Sequence, residues 1–371
     1  MRQNKDYLIT EKPSRALLIF SIPMIIGNLF QQAYTIVDSA IVGRYVGETA
    51  LAAVGASYAL TSIFICIAIG GGIGASVIIS HHFGAHNYGR MKTCIRTALL
   101  SFLFISLILG GVGLIFSQQI MEVLNTPADA IDIAVTYLNI YFLGLPFLFM
   151  YNILSSMFNA LGESRIPLYL LIFSSVLNIF LDLYMVAVLN LGVAGAAYAT
   201  FISQGISAVL SLIIFVVTLQ QLQGKAEGWF SKTEFSDMSR IALPSILQQS
   251  TVSIGMMLVQ SVVNSFGTQI LAGFSAAMRI ESLCVVPMSA IGNAMSSYTA
   301  QNIGAEKEER ISQGYRAGNF MIIVIAVILC FFLEIAHKPL IALFLDNEPS
   351  AQTIVTGESY LKFIDFFFCM I

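Results

Sequence analysis

The chain has 371 residues, of which 57% are hydrophobic and 11% charged, with a formal net charge of -3. Soluble domains carry about 25% charged residues, and the mean hydropathy here is +0.82. This excludes a water-soluble enzyme, a nucleic-acid binder and a disordered chain, and it makes a lipid bilayer the solvent.

Residues 1–15 are polar. They lack a short apolar core followed by a small-residue cleavage site, so no removable signal peptide is expected. A spanning helix needs roughly 20 mostly apolar residues. Such runs occur at 17–42, 50–80, 93–117, 131–160, 165–190 and 192–220. A polar break at 221–238 follows, with Lys225, Glu227, Lys232 and Asp237. The pattern resumes at 241–263, 270–301 and 313–336, and a last segment opens near 353. The longer runs require tilt or extension past the membrane. The fold class is all-α, a polytopic membrane protein. Its expected parts are an N-terminal lobe (1–220), an inter-lobe linker (221–238) and a C-terminal lobe (239–371).

Lys and Arg set the orientation. With the N-terminus in the cytoplasm, the inner side holds Arg2, Lys5, Lys12, Arg15, Arg90, Lys92, Arg96, Arg165, Lys225, Lys232, Arg240, Lys307, Arg310 and Arg316. The outer loops hold only Arg44 and Lys338. That asymmetry follows the positive-inside rule.

The chain also repeats itself. A shift of 220 aligns Gly72, Ser76, Gly84, Ala85, Arg90 and Arg96 with Gly292, Ser296, Gly304, Ala305, Arg310 and Arg316. A nearly constant shift over such a length implies duplication. Six segments per copy is an even number, so both copies insert in the same direction, as parallel repeats about an axis along the membrane normal. Two such lobes around a cleft is transporter architecture. A second copy of equal length would end near residue ~440, so about 70 residues, or two and a half helices, are expected beyond Ile371.

Ionisable residues inside spanning segments are functional hypotheses by default. Asp38 lies in the first segment, with Gln31 and Tyr34 on the same helical face at i−7 and i−4. Asp182 lies in the fifth, with Asn178 one turn before it, and Thr200 lies early in the sixth. Asp38 falls ~4 residues from the outer end of its helix, and Asp182 and Thr200 fall ~8 residues from theirs. Two carboxylates, an amide and a hydroxyl at matched depth suit an oxygen cage for Na⁺ or a buried proton carrier. The structural alternatives are Asp38 capping its helix beside Arg44, and Asp182 bonding Asn178 across a packed interface. Glu281, two residues after Arg279 in the eighth segment, is the second-lobe candidate; the alternative is local charge neutralisation. Asp365 and Glu334 are further acids in or near apolar runs.

Other signals carry less. Cys66, Cys94, Cys284, Cys330 and Cys369 are far apart inside apolar runs and read as buried small hydrophobes, not disulfides. His81, His82 and His86 lack a metal-ligand spacing. GGGIG (70–74) has no following GK[ST] and reads as close helix packing. Pro23, Pro146, Pro244 and Pro287 mark kinks or hinges. No nucleotide motif is present, so ATP is not expected as the energy source, and no cofactor is expected.

IPMIIGNLFQQAYTIVDSAIVGRYVGETALAAVGAS (22–57) closely resembles the first-helix region of the multidrug and toxic compound extrusion (MATE) family. LNIFLDLYMV (177–186), GVAGAAYAT (192–200) and TAQNIGA (299–305) fit the same family. The resemblance implies twelve helices in two six-helix lobes and export of organic cations or other amphiphiles in exchange for Na⁺ or H⁺. It implies an ion site at Asp38, Asn178, Asp182 and Thr200, with Gln31 and Tyr34 lining the same cavity. One branch carries an acid on the seventh helix. Ser253 stands near that place here, which points to the DinF-like branch. The expected partners are a small amphiphilic substrate, the coupling cation and the bilayer, with no nucleic acid, for a monomer in a bacterial plasma membrane. Two alternatives are a lipid-linked precursor flippase of the same superfamily and a membrane-embedded metal enzyme.

Overall fold

A computed structural model describes residues 6–46, 48–124, 126, 130–343 and 351–370. The described elements are all helical. After a short helix α1 (Tyr7–Thr10) come α2 (Pro13–Val46), α3 (Glu48–Gly84), α4 (Tyr88–Val123), α5 (Ile131–Ala160), α6 (Arg165–Asp182) and α7 (Gly192–Gln220). Then follow α8 (Lys232–Asn264), α9 (Thr268–Gly304), α10 (Glu308–Leu343) and α11 (Ala351–Met370). Nine of the described helices are long and apolar enough to cross a membrane.

The fourth and sixth spanning helices begin and end where their apolar runs do. Others continue past the lipid because their ends are capped. Asn87 accepts the backbone N–H of Arg90 at 3.2 Å and starts α4 five residues before its apolar run. Ser231 accepts the N–H of Glu234 at 3.3 Å, the Ser-x-x-Glu pattern that opens a helix. The polar break at 221–238 is therefore coil only up to Ser231, and its remainder forms the first turns of α8.

Helices α3, α4, α5 and α7 share an apolar core that includes Phe83, Ile95, Phe158 and Phe215. The glycine run sits where α8 crosses α3: a Cβ on Gly70 would stand 2.6 Å from the Ile246 nitrogen, and one on Gly74 would stand 2.6 Å from the Met238 carbonyl oxygen. The run is a packing surface, as expected from its sequence.

Each half lays one helix against the other. α8 packs on α3 of the first half, and α2 packs on α9 of the second. At one end of the molecule Gly84 lies against the backbone of Gln301, and Gly304 lies against the backbone of His81. The 220-residue shift carries His81 to Gln301 and Gly84 to Gly304. Each contact is thus the image of the other, as a twofold relation between duplicated halves requires. Any side chain at either glycine would collide with backbone.

The short helix α1 seals this closed end. Leu8 is fully buried, and Tyr7 and Ile9 are nearly so. Tyr7 donates to the Gly162 carbonyl at 2.9 Å, in the first half. From the second half, Asn302 donates to Leu8 O (3.1 Å), Lys307 to Ile9 O (2.9 Å) and Arg310 to Glu11 O (2.6 Å). Burial, reinforced by the charge of Glu163, pushes the Tyr7 phenol well above its ordinary pKa, so it stays a donor. Away from this end the packing thins. Gly255 in α8 and Gly292 in α9 face space with no atom within 4 Å of a Cβ position.

One expectation is corrected here. Cys66, Cys94 and Cys284 are free and buried, but Cys330 is disulfide-bonded. The wide spacing of the cysteines along the chain gave no sign of this bond.

Candidate functional site

The cluster at membrane depth is assembled by three neighbouring helices. α2 packs on α6, and α6 packs on α7. Helical spacing puts Tyr34 and Asp38 on one face of α2 and Asn178 and Asp182 on one face of α6. Thr200 comes from the first turns of α7. The Asp38 and Asp182 carboxyl groups are neighbours, close enough to act on each other electrostatically. Asp182 and Asn178 are buried. With its amide oriented to suit its neighbours, Asn178 donates to Asp182 Oδ2 at 2.8 Å and to the Tyr34 hydroxyl at 3.1 Å. Its oxygen then accepts from Thr200 Oγ1 at 3.3 Å and from the Thr200 N–H at 3.2 Å. Asn178 is therefore the hub that joins the three helices.

Two oxygens stand out. Asp38 Oδ1 and Asp182 Oδ1 are buried and have no hydrogen-bond partner among the described residues. A buried acceptor left unpaired is costly, and two adjoining carboxylates need positive charge between them. A proton supplies it, and so does a small cation taking oxygen ligands. Arg44 does not supply it, since it makes no ion pair among the described residues. The reading of Asp38 as a helix cap paired with Arg44 is thereby set aside.

The backbone after Asp182 departs from the α form. Leu183–Val188 is a π-helical stretch. Such stretches are rare and concentrate at functional sites, and this one begins at the residue following the second carboxylate. No feature of LYMVAV announces it. Tyr137 on α5 was also not singled out from the sequence. It is half-buried and lies within electrostatic range of both Asp38 and Asp182. Its signal is long-range packing of α5 on α7, which no local pattern carries.

Gln31 lines a cavity of about 170 Å³ with Asn28, Tyr151, Asn152, Ser155 and Asn159. A second cavity, of about 160 Å³, shares Asn152, Ser155 and Asn159 and reaches Gln249, Asn293 and Ser296 of the other half. Amides and hydroxyls thus floor the space between the halves.

The second-half candidates lie elsewhere. Glu281 accepts a 2.7 Å hydrogen bond from Tyr360 of α11, and Arg279 is exposed. They form no ion pair with each other, so the reading of local charge neutralisation is corrected: Glu281 turns to α11 because a phenol is in reach there. Ser253 sits beside Cys66 at 3.4 Å. The Asp365 side chain falls outside the described residues. Among the described residues no group of three or more His, Cys, Asp or Glu could hold a metal. His82 instead contacts Glu234 at 3.0 Å, and His86 contacts the Tyr88 hydroxyl at 3.0 Å.

Comparison with known proteins agrees with this architecture. The MatE family model matches residues 23–184 and 244–370. The chain is 34% identical over 355 residues to the probable multidrug resistance protein YpnP of Bacillus subtilis (strain 168), covering 95% of this chain and 79% of that protein. It is 29% identical over 387 residues to the probable multidrug resistance protein YoeA of the same organism, covering 98% and 82%. A solved outward-facing multidrug resistance MATE family transporter of the MOP superfamily superposes with a TM-score of 0.90 at 24% identity, over 99% of this chain and 82% of that one. With both duplicated halves matched, the chain belongs to the MATE family, and it is a multi-pass membrane transporter of the multidrug efflux type and not an enzyme.

Proposed function

We propose that the protein is a secondary antiporter that exports organic cations or other amphiphilic molecules in exchange for Na⁺ or H⁺. The observation that carries this reading is the pair of neighbouring carboxyl groups, Asp38 and Asp182, each with a buried oxygen that has no hydrogen-bond partner among the described residues. Asn178 and Thr200 complete the coupling site, and Tyr34 and Tyr137 enclose it. In the open state, a cation or proton enters between the two carboxyl groups and neutralises them. The charge it brings repacks α2 against α6, and Gln31, two turns along α2, moves with it. The cavity floored by Asn152, Ser155 and Asn159 then loosens its hold on cargo. After release, the halves rock about the closed end and expose the cleft to the cytoplasm, where the N-terminus lies.

The driving force is adequate. One monovalent cation moving inward carries about 2.3 kcal/mol per 100 mV. That supports roughly fifty-fold accumulation of an electroneutral cargo, at 1.4 kcal/mol per tenfold. A flippase for lipid-linked pyrophosphates calls for a basic central cavity. The central walls here carry amides and hydroxyls, which favours the antiporter.

The test is uphill export of a fluorescent organic cation from vesicles carrying the protein. Asp38→Asn and Asp182→Asn are each expected to reduce uphill export at least tenfold while the protein stays folded and inserted. Wild-type export by both variants contradicts the coupling role.

A further inference from the structure

A groove runs between α3 and α4 of the first half and α8 of the second. Deep in it lies a cavity of about 430 Å³, with Gly71, Ala75, Ser101, Phe102, Phe235 and Ala242 among its walls. Further along the same groove, toward the closed end, lies a polar cavity of about 540 Å³ with His82, Arg90, Thr93, Glu227, Glu234 and Asp237. Helical spacing makes them one track: Gly71, Ala75, Ile78 and His82 follow one face of α3, and Glu234, Met238 and Ala242 follow one face of α8. The track is apolar at membrane depth and charged at its end.

The fold does not require this space to be open, because its twofold mate is filled. The 220-residue shift replaces Gly71 by Ile291, Ala75 by Met295, Ile78 by Tyr298 and Ser101 by Met321. There Met295, Tyr298 and Met321 pack with Leu17 and Phe20 into a closed core. The mate of Arg90 is Arg310, whose guanidinium is held by Leu8 O, Glu11 O and Asn302 Oδ1, so the α1 segment fills the polar end. At these four positions the open groove carries the smaller side chain, and the Arg90 guanidinium makes no ion pair among the described residues. Nearby cations are engaged otherwise. Lys92 donates to Leu222 O and Gly224 O, and Arg96 lies over the Trp229 ring at 4.7 Å. Glu234 is taken by His82. Glu227 and Asp237 remain as acceptors, Asp237 with only a long 4.0 Å contact to exposed Arg240.

We infer that this groove binds a phospholipid with a phosphoethanolamine head group. The acyl chain lies in the apolar cavity, the phosphate pairs with Arg90, and the primary ammonium donates to Glu227 and Asp237. Each charge of the head group meets its opposite. A choline head has no N–H to donate, and a glycerol head leaves both carboxylates facing an unbalanced phosphate. The groove lies at the junction of the two halves, so its lipid bears on their relative movement.

The test uses the full chain purified in detergent and incubated with equal amounts of lyso-phosphatidylethanolamine, lyso-phosphatidylcholine or lyso-phosphatidylglycerol. Retained lipid is counted by native mass spectrometry. The ethanolamine lipid is expected at five-fold or more over the other two. Ala75→Met with Ser101→Met, copying the filled mate, is expected to reduce retention at least tenfold while the protein stays folded and inserted. Glu227→Gln with Asp237→Asn should bring the three lipids within twofold of one another. Arg90→Gln, at an exposed position, should weaken all three. Equal retention of the three lipids by the unaltered protein overturns the proposal. So does undiminished binding in either the double-methionine variant or Arg90→Gln.

Discussion

Asn178 satisfies more neighbours than any other residue of the candidate site, reaching Tyr34, Asp182 and Thr200 at once. Truncating it strands buried polar groups on three helices. Leaving such a group unsatisfied costs about 1–3 kcal/mol. Asn178→Ala is therefore expected to lower the melting temperature by several degrees, and to weaken ion-driven export, whereas Asn178→Gln recovers part of the stability. An unchanged melting temperature would show that the hub bonds are not made. These residues were legible because depth and helical phase can be read directly from spacing. Asp38, Asn178, Asp182 and Thr200 fall at similar depths on faces that can meet, and they do meet. Tyr137 was not legible, because its approach depends on how α5 settles against α7. Arg279 and Glu281 show the converse: adjacency in sequence suggested an ion pair, but on a helix residues two apart do not face each other.

At the scale of single elements, caps and glycines decide where helices stop and how closely they cross. Ser231 fixes the start of α8, and Ser231→Ala is expected to cost about 1 kcal/mol, seen as fraying of 232–236 in hydrogen exchange and a small fall in melting temperature. Gly84 and Gly304 have no room for a side chain. Gly304→Leu should push α9 from α3 and lengthen the distance between spin labels placed across the closed end. An unchanged distance would mean that the glycines are not what permits the contact. The apolar runs disclosed the first nine spanning helices and their order. Their polar extensions were hidden, since hydropathy registers lipid contact and not helical backbone. The π-helical stretch after Asp182 was hidden too, because it arises from tertiary fit and not from the propensities of Leu183–Val188.

For the whole molecule, duplication was visible as a nearly constant shift, but its consequence, the packing of α2 and α8 against the opposite half, was not. Sequence similarity says which segments correspond; it does not say which cross. The closed end is likewise a joint contact of both halves, α3 against α9, sealed by α1. Leu8→Asp places a charge at a fully buried position and should unseat α1, shifting the population toward an opened closed end by tenfold or more, read by spin-label distances. A distribution identical to that of the unaltered protein would remove α1 from the seal. The central claim, that Asp38 and Asp182 exchange a cation for cargo, is tested most directly in proteoliposomes with Na⁺ and pH gradients imposed separately while drug-driven ion flux is recorded. The account predicts flux that follows one of the two gradients, depends on drug, and disappears in both Asp38→Asn and Asp182→Asn; drug movement against its gradient with no ion flux, or with full flux in both variants, would contradict it.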